Sequence, residues 1–94
     1  MLLRRFKIVG HSMSPAFPEN CNVLASSLPF LFANPKTGDV VVINKSGRVY
    51  IKRIKEIKEG KYFLLGDNKS DSLDSKSFGL VNRNQILGKV IIKL

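Results

Sequence analysis

Apolar and polar positions alternate in short runs broken by turn residues, a pattern that predicts strands far more than helices. Leu3 to Val9 interleaves apolar and basic side chains and stops at Gly10. Val23 to Ala25 is a brief apolar piece, and Val40 to Asn44 is a β-branched run launched by Thr37, Gly38 and Asp39. The longest strand expected is Arg48 to Ile57, entered through the turn Asn44-Lys45-Ser46-Gly47. Tyr62 to Leu65 comes after a turn at Gly60, and Ile86 to Leu94 closes the chain with Gly88 as a bulge position. Helix is confined to single turns at Leu28 to Ala33 and Asn82 to Leu87, neither with a 3.6-residue period. The expectation is an all-β (mainly β) domain, a small folded sheet or barrel with one or two short helical turns.

One stretch has no period at all. Gly66 to Gly79 runs for fourteen residues, dense in Asp, Asn and Ser. Loops of that length in small domains are usually functional or disordered, and these side chains bond readily back to the backbone. With 94 residues, no repeat and no linker, residues 1–94 read as a single domain, marginally stable on burial alone.

Charge changes the picture only slightly. Sixteen Lys and Arg against seven Asp and Glu give a net charge of +9, yet the basic residues are scattered rather than massed. The aromatic residues sit as core or turn positions rather than as a stacking row, so nucleic acid is not the expected partner. General solubility, or attraction to an acidic partner, accounts for the charge as well. Cys21 is the sole cysteine, which excludes an internal disulfide and a thiolate metal site. A membrane span needs about 20 apolar residues. Arg4, Arg5 and Lys7 interrupt the N-terminal segment, and Pro29 sits in the short apolar stretch from Ser26 to Ala33. No integral anchor and a cytoplasmic location are therefore expected.

Hydrolysis without a metal needs a nucleophile, a base and an oxyanion site. His11 is the only histidine and directly precedes Ser12, which suits a Ser-His-Asp triad poorly; one His with scattered carboxylates gives no metal-ligand spacing. A Ser–Lys pair remains. A lysine acts as base only when neutral, a state that apolar burial favours. On Arg48 to Ile57, Lys52 shares a face with Tyr50 and Ile54 while Arg53 faces the other way. Ser12 lies in Gly10-His11-Ser12-Met13-Ser14-Pro15, where a glycine allows close backbone approach and a proline fixes the chain after the serine. Taken singly, these features also describe an ordinary strand lysine and an ordinary turn serine.

Their conjunction is specific. The segment Gly10 to Pro15, with its Ser-Met-x-Pro core, resembles the nucleophile box of the type I signal peptidase family. Gly38-Asp39-Val40-Val41-Val42 is similar to that family's Gly-Asp strand, and Tyr50-Ile51-Lys52-Arg53-Ile54 to its lysine box. Gly66-Asp67-Asn68, then Ser72-x-Asp74-Ser75-Lys76 and Phe78-Gly79-x-Val81, resemble its last box, and Ile86-x-Gly88-Lys89 the usual tail. The boxes occur in the family's order across nearly the whole chain. The resemblance implies the signal peptidase catalytic-core fold, no cofactor and no metal. It implies that Ser12 attacks the scissile carbonyl and that its N–H donates to the oxyanion, with Lys52 as general base. Ser72 would orient the Lys52 amine, and Asp74 would hold the loop through Lys76. Asp67 and Asn68 would shape that loop, and Met13 and Pro15 would position the nucleophile turn. Gly10 stands where some members carry a hydroxyl as second oxyanion donor, and Lys76 where many have arginine. Lys55 to Tyr62 lacks the Gly-x-Pro-Gly-Asp sequence that commonly comes after the lysine box.

Secretory signal peptidases are membrane-anchored and carry an added β-domain, whereas this sequence is similar to the short soluble maturation proteases of nickel-type superoxide dismutase. Arg4-Arg5-Phe6-Lys7-Ile8, the box spacing and Ser77-Phe78-Gly79-Leu80-Val81 carry that likeness. The partner implied is a precursor protein, the nickel superoxide dismutase proenzyme, losing an N-terminal leader. Alternatives are general processing of exported precursors, a self-cleaving repressor domain of the SOS type, for which eleven residues before Ser12 leave little room, and a non-catalytic basic β-domain binding nucleic acid.

Overall fold

The computed structural model describes residues 2–10, 13–67 and 80–94. Seven strands form one antiparallel sheet: β1 Arg4–Lys7, β2 Asn22–Ser26, β3 Val40–Lys45, β4 Arg48–Lys58, β5 Lys61–Leu65, β6 Val81–Asn82 and β7 Ile86–Lys93. The spatial order is β1-β2-β7-β3-β4-β5-β6. The all-β expectation therefore holds, and each anticipated strand is present with its ends shifted by two residues at most. The pattern of the sequence does not announce β6, because a two-residue strand has no alternation to read.

Turn chemistry sets the central meander. Ser46 and Gly47 both take positive φ (55° and 81°), as do Glu59 and Gly60 (52° and 77°). Each pair closes a two-residue hairpin, Lys45 opposite Arg48 and Lys58 opposite Lys61. Two consecutive left-handed residues match the natural twist of the flanking strands. The Gly47 N–H also donates to Asn44 Oδ1 at 3.1 Å.

Both helical turns are single 3₁₀ turns, Leu28–Leu31 and Arg83–Gln85. Ser26 Oγ accepts the Leu28 N–H at 3.0 Å, and Gln85 Oε1 accepts the Asn82 N–H at 2.8 Å, so side chains satisfy backbone donors at each entry.

Three register shifts curl the sheet. Val42 faces Gly88 while Ile43 faces Ile86, so Leu87 is the extra residue, one position before the expected Gly88. Ile91 is skipped against β2, and Lys55 against β5. Each bulge bends its strand and raises the local twist. The strands thereby wrap a core of Val41, Ile43, Ile54, Tyr62, Leu64, Val81 and Ile86, with Phe30 and Tyr50 packed against it. β3 is buried from Val40 through Ile43, which explains its unbroken β-branched run. The edge strand β1 is largely exposed and carries Arg4, Arg5 and Lys7, charges that discourage edge-to-edge pairing.

Truncating the core should unfold this small domain. Leu64→Ala is expected to cost about 2–5 kcal/mol by urea denaturation, whereas Phe32→Ala, at a side chain 90% exposed, should stay within about 0.5 kcal/mol.

Candidate active site

The β1–β2 connection is a closed loop. At its neck the Ile8 N–H donates to Cys21 O and the Asn20 N–H donates to Ile8 O, both at 2.8 Å. Gly10 has φ +86°, a conformation that side chains strain to reach, and its N–H donates to Glu19 Oε2 at 3.2 Å. Met13 is almost fully buried, and its carbonyl accepts the Phe17 N–H at 2.8 Å. Pro15 is joined through a cis Ser14–Pro15 peptide. His11 and Ser12 lie outside the described residues. Met13, the residue bonded to Ser12, thus anchors this end of the loop in the protein interior.

Lys52 is 2% exposed, a rare degree of burial for a lysine. Strand alternation is the cause: Lys52 shares its face with Ile54, 1% exposed, and stands opposite Val41 in the ladder. Tyr50, two residues earlier, packs on the same core. The expected separation of Lys52 and Arg53 onto opposite faces is therefore observed.

A cleft of about 220 Å³ opens between β1 and β4, lined by Phe6 to Val9, Met13 and Val49 to Lys52. β2, β7 and β3 separate β1 from β4 in the sheet order, so only the curl of the sheet sets the two across from each other. Of the expected site residues, the cleft brings Met13 and Lys52 together. Gly10 and Pro15 belong to the adjoining loop. Asn68, Ser72 and Asp74, with Lys76, lie outside the described residues.

Asp67 is described, and its partner is one that the sequence does not point to. Arg53 Nε donates to Asp67 Oδ1 at 2.8 Å and Nη2 to Oδ2 at 2.9 Å, while Nη1 donates to the Gly38 carbonyl at 2.9 Å. The hydrogen bond to Asp67 raises the Arg53 pKa further, against a partial opposing effect of burial and with help from the carboxylate's charge. Gly38, at φ +96°, donates its N–H to Ile54 O, and Ile54 returns its own N–H to Asp39 O, both at 2.8 Å. Asp39 in turn accepts the Lys36 N–H at 3.0 Å and faces Lys89 Nζ at 3.5 Å. The Gly-Asp dipeptide thus stitches the entry of β3 onto β4 two residues beyond Lys52. Arg53 fastens the start of the 66–79 segment to the same place. The sequence held a signal for this clamp, an arginine next to the buried lysine and an aspartate after Gly66, but no spacing rule pairs the two.

Among the described residues, no group of three or more His, Cys, Asp or Glu is placed to hold a metal ion. No described helix is long and apolar enough to cross a membrane.

The class defined by fold and site is an all-β one: a curled antiparallel sheet that buries Lys52 at a cleft shared with Met13 of the β1–β2 loop. The model of the family "Signal peptidase, peptidase S26" matches residues 1–55 and 54–94, and the chain belongs to that family. It is 56% identical over 34 residues to signal peptidase IB of Staphylococcus aureus (strain Mu50 / ATCC 700699), covering 36% of this chain and 18% of that protein. It is 52% identical over 31 residues to signal peptidase I of Buchnera aphidicola subsp. Baizongia pistaciae (strain Bp), covering 33% of this chain and 10% of that protein. The matched part is thus less than a fifth of each of these curated relatives.

The clamp is open to a direct test. Arg53→Lys removes the two-pronged contact while keeping the charge, and should cost about 1 kcal/mol once solvent screening of this partly exposed pair is allowed for. A double-mutant cycle with Asp67→Asn, read by urea denaturation, should return a coupling of about 0.5–1.5 kcal/mol. Strict additivity would show that the contact is energetically idle.

Proposed function

We propose that this chain is a serine endopeptidase that removes an N-terminal leader from a precursor protein by a Ser12–Lys52 dyad. One observation carries the proposal beyond family membership. Lys52, nearly sealed from water by the sheet, lines the same cleft as Met13, the residue bonded to Ser12 in the chain.

That pairing sets the chemistry. Ser12 Oγ attacks the scissile carbonyl as Lys52 Nζ takes its proton, giving a tetrahedral intermediate whose oxyanion is held by the Ser12 backbone N–H. Gly10 has no hydroxyl to add a second donor. Collapse of the intermediate expels the amine, which leaves with the proton from Lys52, and an acyl-enzyme ester remains. Water, deprotonated by the neutral Lys52, then releases the acid product. Ser72 would orient the amine without adding charge, Asp74 and Lys76 would fix Ser72, and Asn68 would continue the turn that Arg53 and Asp67 begin. Residues 1–94 act in this reading as one catalytic domain.

The substrate proposed is the precursor of a nickel-type superoxide dismutase, in the cytoplasm. The likeness at Arg4 to Ile8 and at Ser77 to Val81 supports it. A second reading, general processing of exported precursors, is favoured by the relatives it matches, signal peptidases IB and I. Co-expression with each kind of precursor, with the product N-terminus read by mass spectrometry, separates the two.

The dyad makes two mutational predictions. Ser12→Ala should abolish cleavage in a protein that remains folded by circular dichroism. Lys52→Arg should be equally inactive although it keeps the positive charge, because guanidinium does not deprotonate in the working range.

The third prediction concerns pH. An ordinary lysine titrates near about 10.4, leaving only roughly four molecules in ten thousand neutral at pH 7. Burial penalises the charged form of an amine, so the site should be competent well below that pH. Since the neutral form is the base, single-turnover kcat/KM should rise with pH, about tenfold per unit at first, and level off once Lys52 is deprotonated. A rate that falls as pH rises, or an active Lys52→Arg protein, would place the base elsewhere.

A further inference from the structure

The cleft has a charge asymmetry that the dyad does not use. Among the described residues its lining holds Lys7 and Lys52 and no acidic residue. Lys52 is buried, so Lys7, on the exposed edge strand β1, is the cation that an incoming chain meets first. The Lys7 side chain makes no ion pair or hydrogen bond with another described residue. Other lysines do: Lys89 faces Asp39, Lys61 donates to Asn82, and Lys93 donates to the Ala16 carbonyl. Three described carboxylates are engaged elsewhere. Glu19 takes the Gly10 N–H, Asp39 is held by Lys36 and Lys89, and Asp67 by Arg53.

We infer that Lys7 is a specificity-determining residue that selects precursors carrying an Asp or Glu close to the scissile bond. This rests on the protease reading above and adds to it the chemical class of the substrate sequence. An extended peptide lying between β1 and β4 passes Lys7 on the β1 side and the apolar Val49 and Ile51 on the β4 side. A carboxylate beside Lys7 pairs with it at the water-exposed rim, whereas a lysine there sets a second ammonium against Lys7, with no acid among the described lining residues to offset it. Rim charges of this kind act on encounter and are weakened by salt.

The test uses peptides with small residues ahead of the scissile bond and Asp, Asn or Lys at successive positions on both sides of it. Wild type, Lys7→Gln and Lys7→Glu are compared. The readout is the ratio of kcat/KM for the Asp and Lys peptides within each protein, which cancels any general change in activity. Wild type should favour Asp by up to about fivefold at one or two positions at low salt, the range of exposed pairs. The ratio should fall towards unity in Lys7→Gln, invert in Lys7→Glu, and shrink for wild type at high salt. A wild-type ratio of one at every position, or a preference that survives in Lys7→Gln, overturns the assignment while leaving the protease intact. A wild type that cuts none of the peptides, or cuts them with Ser12 replaced by Ala, overturns the protease reading and this one together.

Discussion

The burial of one primary amine organises this molecule. Lys52 sits at 2% exposure on a strand whose neighbouring face positions belong to the hydrophobic core. Moving an ammonium from water into such a place is expensive, and proteins normally avoid it by keeping lysine heads at the surface. A fold that holds a lysine there must make the strand immovable, since a slip of one residue would turn Lys52 to the outside and put Arg53 within. Much of the architecture around β4 reads as insurance against that slip. β4 is the longest strand, and the β3–β4 hairpin with its two-residue turn runs from Lys45–Arg48 to Val40–Arg53 without a register shift, which fixes Lys52.

The Gly38-Asp39 turn and the Arg53–Asp67 pair act on the same constraint from the far face. Arg53 is adjacent to Lys52 and therefore points away from the core, where its guanidinium can reach both the β3 entry and the start of the segment after β5. One residue of the box is thus turned inward to be desolvated and the next outward to be tied down. Two side chains of like charge one residue apart serve opposite ends because the strand period is two. Replacing Arg53 with lysine would keep the charge and lose the fork, which a point-charge ammonium cannot reproduce.

Most of the strands are legible in the sequence because alternation and turn residues mark them locally. The Arg48 to Ile57 run alone announces β4 and the inward face of Lys52. The register shifts are not legible in the same way. Gly88 suggests a bulge, but the extra residue is Leu87, and nothing in the composition around Lys55 or Ile91 foretells the other two. A bulge is decided by how neighbouring strands compete for hydrogen bonds, which is information about partners rather than about a segment. The same limit applies to the cleft. Ser12 and Lys52 can be named from their boxes, yet the contribution of Phe6 to Val9 depends on β1 confronting β4, a relation created by curvature alone. The Arg53–Asp67 contact joins residues 14 apart across a hairpin and is invisible to local patterning for that reason.

Curvature therefore links the fold to the chemistry. In a flat sheet with this strand order, β1 and β4 would lie on opposite sides of β2, β7 and β3, and the loop after β1 would be remote from Lys52. The bulges at Leu87 and Ile91 fall on β7, the strand between β2 and β3, where a bend folds the β1–β2 pair over the rest of the sheet. The N-terminal strand then stands across the cleft from the Lys52 end of β4, with Met13 in the same lining. Two requirements are met at one place. Strand alternation turns the Lys52 amine inward, and the curl brings Met13, the residue bonded to Ser12 in the chain, to the cleft that Lys52 lines.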